Sequence, residues 1–504
     1  MKRAVEDEAK ASTAAGLRVS APQPPCPPAP SLGPLMPAPS AKPSNRLSLI
    51  LLVALVLGSM LGSGIFGLPQ NVAAGAGAGA ILIAWGISGL GMLMLALCYQ
   101  MLALRKPELD NGVFAYAREL GGDYVGFNAA WGYWVSAWIG NVGYLVAAFG
   151  ALGYFFPVFG EGNTPAAILG ASALLWLVHA LVLRGIQGAA LLNGIVTLAK
   201  VLPLLIFIVL VSLAFELSTF KIDFWGTPAL GSVLAQVKST MLVTVWVFIG
   251  IEGASVYSAR AARRSDVGRA TVIGFLLALA LLMAVSLLSL GVLAQPQLAG
   301  LKNPSMAGVL EHAVGAWGAV LIYIGLLVSV GGGFLAWTLL AAESLFTPAK
   351  GGVMPAWLGR QNSAGVPANA LWLSSAMVQA FLLLTLISKA SYLALISLST
   401  AMILQPYLFS AVYGALLVRR DGKLGIQVIT AVASAYCLWL LYAAGLKYLL
   451  LSALLYLPGV AMYLWAKRER AQTPFKPMEW LLLAALLGLA LLAAWMLSSG
   501  RLGL

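Results

Sequence analysis

The chain has 504 residues, 61% of them hydrophobic and only 9% charged, with a mean hydropathy of +0.91. That excludes an ordinary soluble domain. The formal net charge of +13 would suit a nucleic-acid partner, but most of the charges sit in alternate loops between apolar runs, the pattern of a membrane protein, and no nucleic acid is expected.

Residues 1–45 are polar and proline-rich, with Pro22, Pro24, Pro25, Pro27, Pro28 and Pro30 in close succession. No apolar signal-peptide core precedes Leu47, and the composition reads as a disordered cytoplasmic tail. From Leu47 onward, apolar stretches of about 20 residues recur. Hydropathy sets them at about 47–75, 79–104, 122–156, 165–183, 189–216, 238–258, 267–294, 313–346, 369–388, 391–418, 424–444, 447–466 and 478–498. The last could lie shallow, so the expectation is an all-α polytopic protein of 12 or 13 transmembrane helices. With the N-terminus inside, 17 Lys and Arg fall in inner loops and six in outer ones, which predicts a cytoplasmic N-terminus. An odd number of spans would put the C-terminus outside.

Span one carries Gly58-Ser-Met-Leu-Gly62-Ser63-Gly64-Ile65-Phe66-Gly67-Leu-Pro69. Glycine costs roughly 1 kcal/mol per helix position and interior proline about 3, so this helix is expected to open. Opened backbone is tolerated at membrane depth only when buried in protein or lining a cavity. Freed N–H groups at Gly62-Ser63-Gly64, beside a half-helix N-terminus, would suit a carboxylate. The alternative is close helix packing through small residues. The run Gly75-Ala-Gly-Ala-Gly79 lacks the Lys and Ser/Thr of a phosphate loop and reads as a flexible connection.

Span three presents a mixed polar face with Tyr133, Ser136, Asn141 and Tyr144, which should point inward. Span five holds Lys200, the basic residue set furthest inside; it could act at depth, or snorkel from the inner end. Span six reads Thr244-Val-Trp246-Val-Phe-Ile249-Gly250-Ile-Glu252-Gly253, a second glycine interruption with an acid near mid-depth. Glu252 is a coupling candidate; the alternative is a protonated carboxyl bridging helices. If spans 1–5 and 6–10 are inverted repeats, the two breaks correspond, and paired breaks point to a transporter's midplane site. Span eight places Trp337 after Gly331-Gly332-Gly333. An indole face beside a cavity attracts a cation, worth about 0.5–2 kcal/mol. Cys26, Cys98, Cys437, His179 and His312 show neither metal-ligand nor redox spacing, so no metal or cofactor is expected. No nucleophile–base pair, metal motif or nucleotide fingerprint is present, which argues against an enzyme.

These residues resemble the amino acid–polyamine–organocation superfamily, in particular its basic amino acid antiporters of the arginine/ornithine type, over about residues 45–470. The marks are Gly62 to Phe66, Pro107 to Tyr116, Trp138-Ile139-Gly140-Asn141, Trp246 to Glu252, and Trp337-Thr338-Leu339-Leu340. The resemblance implies a leucine-transporter-type five-plus-five inverted repeat with helices 1 and 6 broken. Residues 46–420 would be the core (about 46–217 and 236–420) and 421–504 accessory helices. It also implies that Ser63 and Gly64, with Ile65 beside them, hold the substrate α-carboxylate. Carbonyls near Trp246 and Ile249 would hold the α-ammonium, and Trp337 would stack on the distal cation near Asn141 and Ser399. Trp246 would form part of the gate. Glu252, Lys200 and Tyr133 would serve coupling and gating, Lys200 standing where sodium-coupled relatives keep an ion. The implied activity is sodium-independent, electroneutral exchange of arginine inward against ornithine outward across a bacterial inner membrane. The alternative is a proton-coupled amino acid or polyamine permease for lysine, agmatine or putrescine. Partners would be the amino acids, membrane lipid and a second copy in a homodimer. A channel would need charged rings or a continuous polar stripe, and one Glu and one Lys do not supply it.

Overall fold

The computed structural model describes residues 48–109, 112–185, 189–251 and 264–502, and every regular element among them is helical. The first span divides where the glycines predict. Helix α1 (Leu49–Met60) ends, Leu61, Gly62 and Ser63 leave the helix, and α2 (Gly64–Ala73) resumes with a bend of 47° between them. Helix α3 (Ala78–Arg105) returns across the bilayer, the short α4 (Val113–Gly121) follows, and α5 (Asp123–Phe155) runs back. Then come α6 (Pro165–Leu183), α7 (Ala189–Leu213), the one-turn α8 (Leu217–Lys221) and α9 (Val233–Trp246). Beyond residue 263 lie α10 (Arg264–Ser289), short α11 (Gln295–Ala299) and α12 (Ser305–Val314), and α13 (Ala316–Lys350). The chain closes with α14 (Ala368–Ser388), α15 (Tyr392–Val418), α16 (Leu424–Glu469) and α17 (Pro477–Ser498).

Among the described residues nine helices are long and apolar enough to span a membrane, and the bent α1–α2 pair makes ten. Two shorter apolar stretches, Lys200–Leu213 and Val233–Trp246, match the expected fifth span and the start of the sixth. Helix α16 is one element to its ends but turns at Gly445, whose φ of 73° is left-handed. That turn lies between the two spans hydropathy sets at 424–444 and 447–466.

Helix starts follow local chemistry. Thr164, Ser232 and Ser391 accept hydrogen bonds from Ala167, Ala235 and Ala394 at 3.2–3.3 Å, each satisfying an orphan first-turn N–H. Helix α5 is buried over most of its length and packs against both α13 and α15. It is the post around which the site is arranged.

One expectation is revised, and one open alternative falls to a single reading. The run Gly75–Gly79 is a pinned crossing, not a flexible connection. Gly77 N–H donates to Gln236 Oε1 at 2.9 Å, Ser239 Oγ donates to Gly75 O at 2.9 Å, and Gly79 N–H donates to Phe224 O at 2.7 Å. A Cβ at Gly77 would lie 2.3 Å from the Gly226 nitrogen, so the glycines serve close backbone approach. Lys200 does not snorkel. It is 3% exposed and its ammonium donates to the Gly58 carbonyl at 2.6 Å.

At the end of the molecule carrying the basic loops, the C-terminal helices are tied to the rest. Lys467 pairs with Asp123 at 2.5 Å, and Arg118 pairs with the same carboxylate at 2.8 Å. Glu479 Oε1 accepts from Tyr124 N–H at 3.2 Å and its Oε2 from Lys476 N–H at 2.7 Å. Arg105 pairs with Asp421.

Candidate functional site

The α1–α2 break strands backbone groups of both polarities. Gly62 N–H turns back to Met60 O at 2.9 Å, so the Gly58 carbonyl lacks its helical partner and takes the Lys200 ammonium instead. A cation at a helix C-terminus also meets the negative end of the helix dipole. On the other side, the N–H groups of Ser63, Gly64 and Ile65 donate to no backbone carbonyl among the described residues. They are first-turn orphans of α2 and point to an acceptor outside the helix.

Helix α9 supplies the facing wall. It ends at Trp246, and the chain continues through tight turns in which Phe248 N–H donates to Val245 O at 2.9 Å and Ile249 N–H to Trp246 O at 3.2 Å. The Trp246 carbonyl thus keeps one lone pair for another donor. Gly250, at φ 108°, lets the turn meet the end of α1: its carbonyl accepts from Ser59 Oγ at 3.1 Å. The end of α1 and the turn after α9 are therefore in direct contact.

Between them lies a cavity lined by Ser59, Met60, Gly62, Gly64, Tyr144, Trp246, Val247, Ile249 and Trp337. Its volume is about 20 Å³, room for about one water, so an amino acid can enter only if wall side chains move. Two aromatic rings fill the space, each seated against glycines. A Cβ at Gly64 would lie 2.7 Å from the Trp246 indole, and one at Gly140 would lie 3.0 Å from it. A Cβ at Gly62 would lie 2.2 Å from the Tyr144 hydroxyl, and one at Gly333 would lie 3.0 Å from the Tyr144 ring.

Of the residues singled out in the sequence, Gly64, Trp246, Ile249 and Trp337 line this cavity directly. Ser63 adjoins it, its hydroxyl 3.1 Å from Tyr392 OH, and Ile65 is fully buried behind it. Ser399 stands one layer back: its hydroxyl donates to Ser136 O at 2.7 Å, close to Gly140. Asn141 is buried on α5 with its Oδ1 unpartnered among the described residues, outside the lining. Tyr133 is buried seven residues before Gly140, about 10 Å along the helix, and so belongs to another level. Lys200 is outside the cavity, beneath the α1 terminus. Glu252 lies outside the described residues.

The structure adds two phenols. Tyr144 was visible only as part of a polar helix face. Tyr392 opens α15 and so reads as an interfacial aromatic. Its partner Ser63 is 329 residues away in sequence, and no local signal joins them.

The α2 terminus at Gly64 and the indoles of Trp246 and Trp337 thus share one cavity. The profile of the family described as amino acid permease matches residues 47–487. The chain belongs to the amino acid permease family. As a permease it is a multi-pass membrane transporter, not an enzyme, in agreement with the superfamily resemblance. Among its relatives, a Pseudomonas aeruginosa protein named arginine/ornithine antiporter is 55% identical over 92% of this chain and 100% of its own length. An arginine/agmatine antiporter of Chlamydia felis is 44% identical over 92% of this chain and 99% of its own. An L-lysine transport protein of Corynebacterium glutamicum is 43% identical over 87% and 93%. This permease is thus similar along nearly its whole length to proteins whose named substrates all bear a distal cation.

Proposed function

We propose that this permease exchanges cationic amino acids, arginine inward against ornithine outward, independently of sodium and with no net charge moved. The observation that carries this is the juxtaposition in one cavity of the α2 N-terminal donors with the indoles of Trp246 and Trp337. The first suits an α-carboxylate. The second suits a guanidinium or ammonium. In this reading Ser63, Gly64 and Ile65 present N–H groups to the carboxylate. The carbonyls near Trp246 and Ile249 receive the α-ammonium, and Trp337 stacks on the distal cation near Asn141 and Ser399. Trp246, over Gly64, gates the cavity; Tyr133 and Glu252 act in gating and coupling.

The charge argument sets the mode. Arginine and ornithine each carry one net positive charge at neutral pH, and moving one alone is worth about 2.3 kcal/mol per 100 mV. A one-for-one swap moves none. The test is purified protein in proteoliposomes, loaded with ornithine or left unloaded. Labelled arginine should enter the loaded vesicles quickly and the unloaded ones hardly at all, at a rate indifferent to an imposed potassium diffusion potential. Uptake into unloaded vesicles that accelerates with an inside-negative potential would make the protein a uniporter or symporter.

A second reading, proton-coupled or polyamine transport, is favoured by the agmatine named for the Chlamydia felis relative. Agmatine and putrescine lack a carboxylate and leave the α2 donors unmatched, so they should compete with labelled arginine more weakly than ornithine or lysine do. Glu252→Gln fixes that side chain as neutral, and the pH profile of exchange should flatten. A wild-type profile in the variant would move the coupling group elsewhere. The protein is taken to lie in a bacterial inner membrane with its N-terminus in the cytoplasm, since 17 of the loop Lys and Arg fall on that side against six.

A further inference from the structure

Ser63 offers two groups to an incoming anion, its backbone N–H and its hydroxyl, and two phenols crowd this stretch of the break. The Tyr144 ring lines the cavity together with Gly62 and Trp337. Its oxygen lies only 2.2 Å from where a Cβ at Gly62 would stand, so it is lodged within the break itself. The Tyr392 hydroxyl is 3.1 Å from Ser63 Oγ, on the α15 side of the same residue. Both phenols are well buried, and Tyr144 lines the cavity. Two phenol oxygens from different helices thus converge on neighbouring residues of the break, Gly62 and Ser63.

We infer that Tyr144 and Tyr392 are built-in competitors of the substrate carboxylate, their two hydroxyl oxygens standing at Gly62 and Ser63 where the two oxygens of one carboxylate would bind. This rests on the reading of the break as the carboxylate site and adds the groups that the carboxylate must displace. The chemistry favours displacement. A phenol is a neutral acceptor, whereas a carboxylate makes charge-assisted bonds roughly twice as strong. A ligand without a carboxylate leaves the phenol contacts in place and pays nothing for them, so the pair tempers the advantage of an amino acid over its decarboxylated amine. The notches at Gly62 and Gly333 follow from the same arrangement: a side chain at either would crowd the Tyr144 ring or hydroxyl.

The experiment is equilibrium binding of arginine and agmatine to the purified full-length wild type and to Tyr144→Phe and Tyr392→Phe. These two ligands differ only in the carboxylate. Each variant keeps its ring and loses the competing oxygen. The ratio of agmatine Kd to arginine Kd should therefore rise by about two- to ten-fold in each, the range one net hydrogen bond spans. Using the ratio cancels any change in how Trp337 meets the shared guanidinium. An unchanged ratio, or one shifted toward agmatine, would overturn the inference and make the phenols supports or donors for the carboxylate. A wild type that binds agmatine as tightly as arginine would instead overturn the carboxylate reading of the break, and the inference would fall with it. Size-exclusion profiles keep a misfolded variant from being mistaken for any of these, and Tyr144→Leu, which also lacks the oxygen, should shift the ratio the same way.

Discussion

An ammonium buried in a membrane span needs acceptors, and Lys200 has one made for it by the path of another helix. Were α1 continuous, the Gly58 carbonyl would be bonded to Gly62 N–H; because the chain opens there, Lys200 holds it at 2.6 Å. Lys200→Ala should abolish exchange while leaving the amount of protein in the membrane unchanged, as read by immunoblot and vesicle uptake together. The wild type should transport equally in sodium and choline buffers, and sodium-dependent uptake would contradict a fixed cation in this place. Trp337→Leu keeps apolar bulk but removes the electron-rich face, so arginine binding should weaken by about 1–2 kcal/mol in calorimetry with the fold intact. Unchanged affinity would rule out stacking. The depth of Lys200 and the exposure of Trp337 to a cavity were legible from hydropathy and a neighbouring glycine triplet. The partner of Lys200 was not, because a carbonyl loses its helical donor only where its own helix breaks, here 142 residues earlier in the chain.

At the scale of elements, the helix ends at Met60 and Trp246 were readable because glycine and proline act locally on helix stability. What fits into them was not, since Tyr144 and Trp246 arrive from other helices. Those contacts make the glycines size-restricted. Gly64→Ala would put a Cβ 2.7 Å from the Trp246 indole and 2.9 Å from Val247 Cγ1, closer than atoms approach without displacement. Exchange should be lost or cut by more than about 100-fold, since a misplacement near 1 Å at a reacting or binding centre is that costly. Gly333→Ala, at 3.0 Å from the Tyr144 ring edge, asks for a smaller shift and should retain measurable exchange. Rates in proteoliposomes, normalised to reconstituted protein, separate the two; equal activity in both variants would mean that the rings move freely at these positions. The same blindness to distant partners explains the Gly75–Gly79 crossing, where alternating glycine and alanine suggested looseness but Gln236, Ser239 and Phe224 pin the backbone.

For the molecule as a whole, the helices beyond residue 420 are joined to the rest by side chains at the basic end. Glu479, only 3% exposed, accepts from Tyr124 and Lys476, and a Cβ at Gly122 would lie 3.2 Å from its carboxylate. Since α5 begins at Asp123 after a glycine with no side chain to cap it, the acceptor for its second N–H comes from α17. Glu479→Ala leaves two N–H groups without that acceptor, and the protein should lose about 1–3 kcal/mol, visible as a lower melting temperature in detergent. An unchanged melting temperature would mean that water replaces the carboxylate at no cost.

That cap has a bearing on how the chain is made. Helix α5 carries Gly140, Asn141 and Tyr144 and enters the bilayer early in synthesis. The residue that closes its first turn follows Tyr124 by 355 positions. The helix bearing part of the cavity wall therefore stays provisionally ended until almost the whole polypeptide has left the ribosome. A premature stop between residues 470 and 479 would spare every residue of the cavity and still withhold the cap, so such a lesion should register with quality-control proteases rather than as a change in substrate preference.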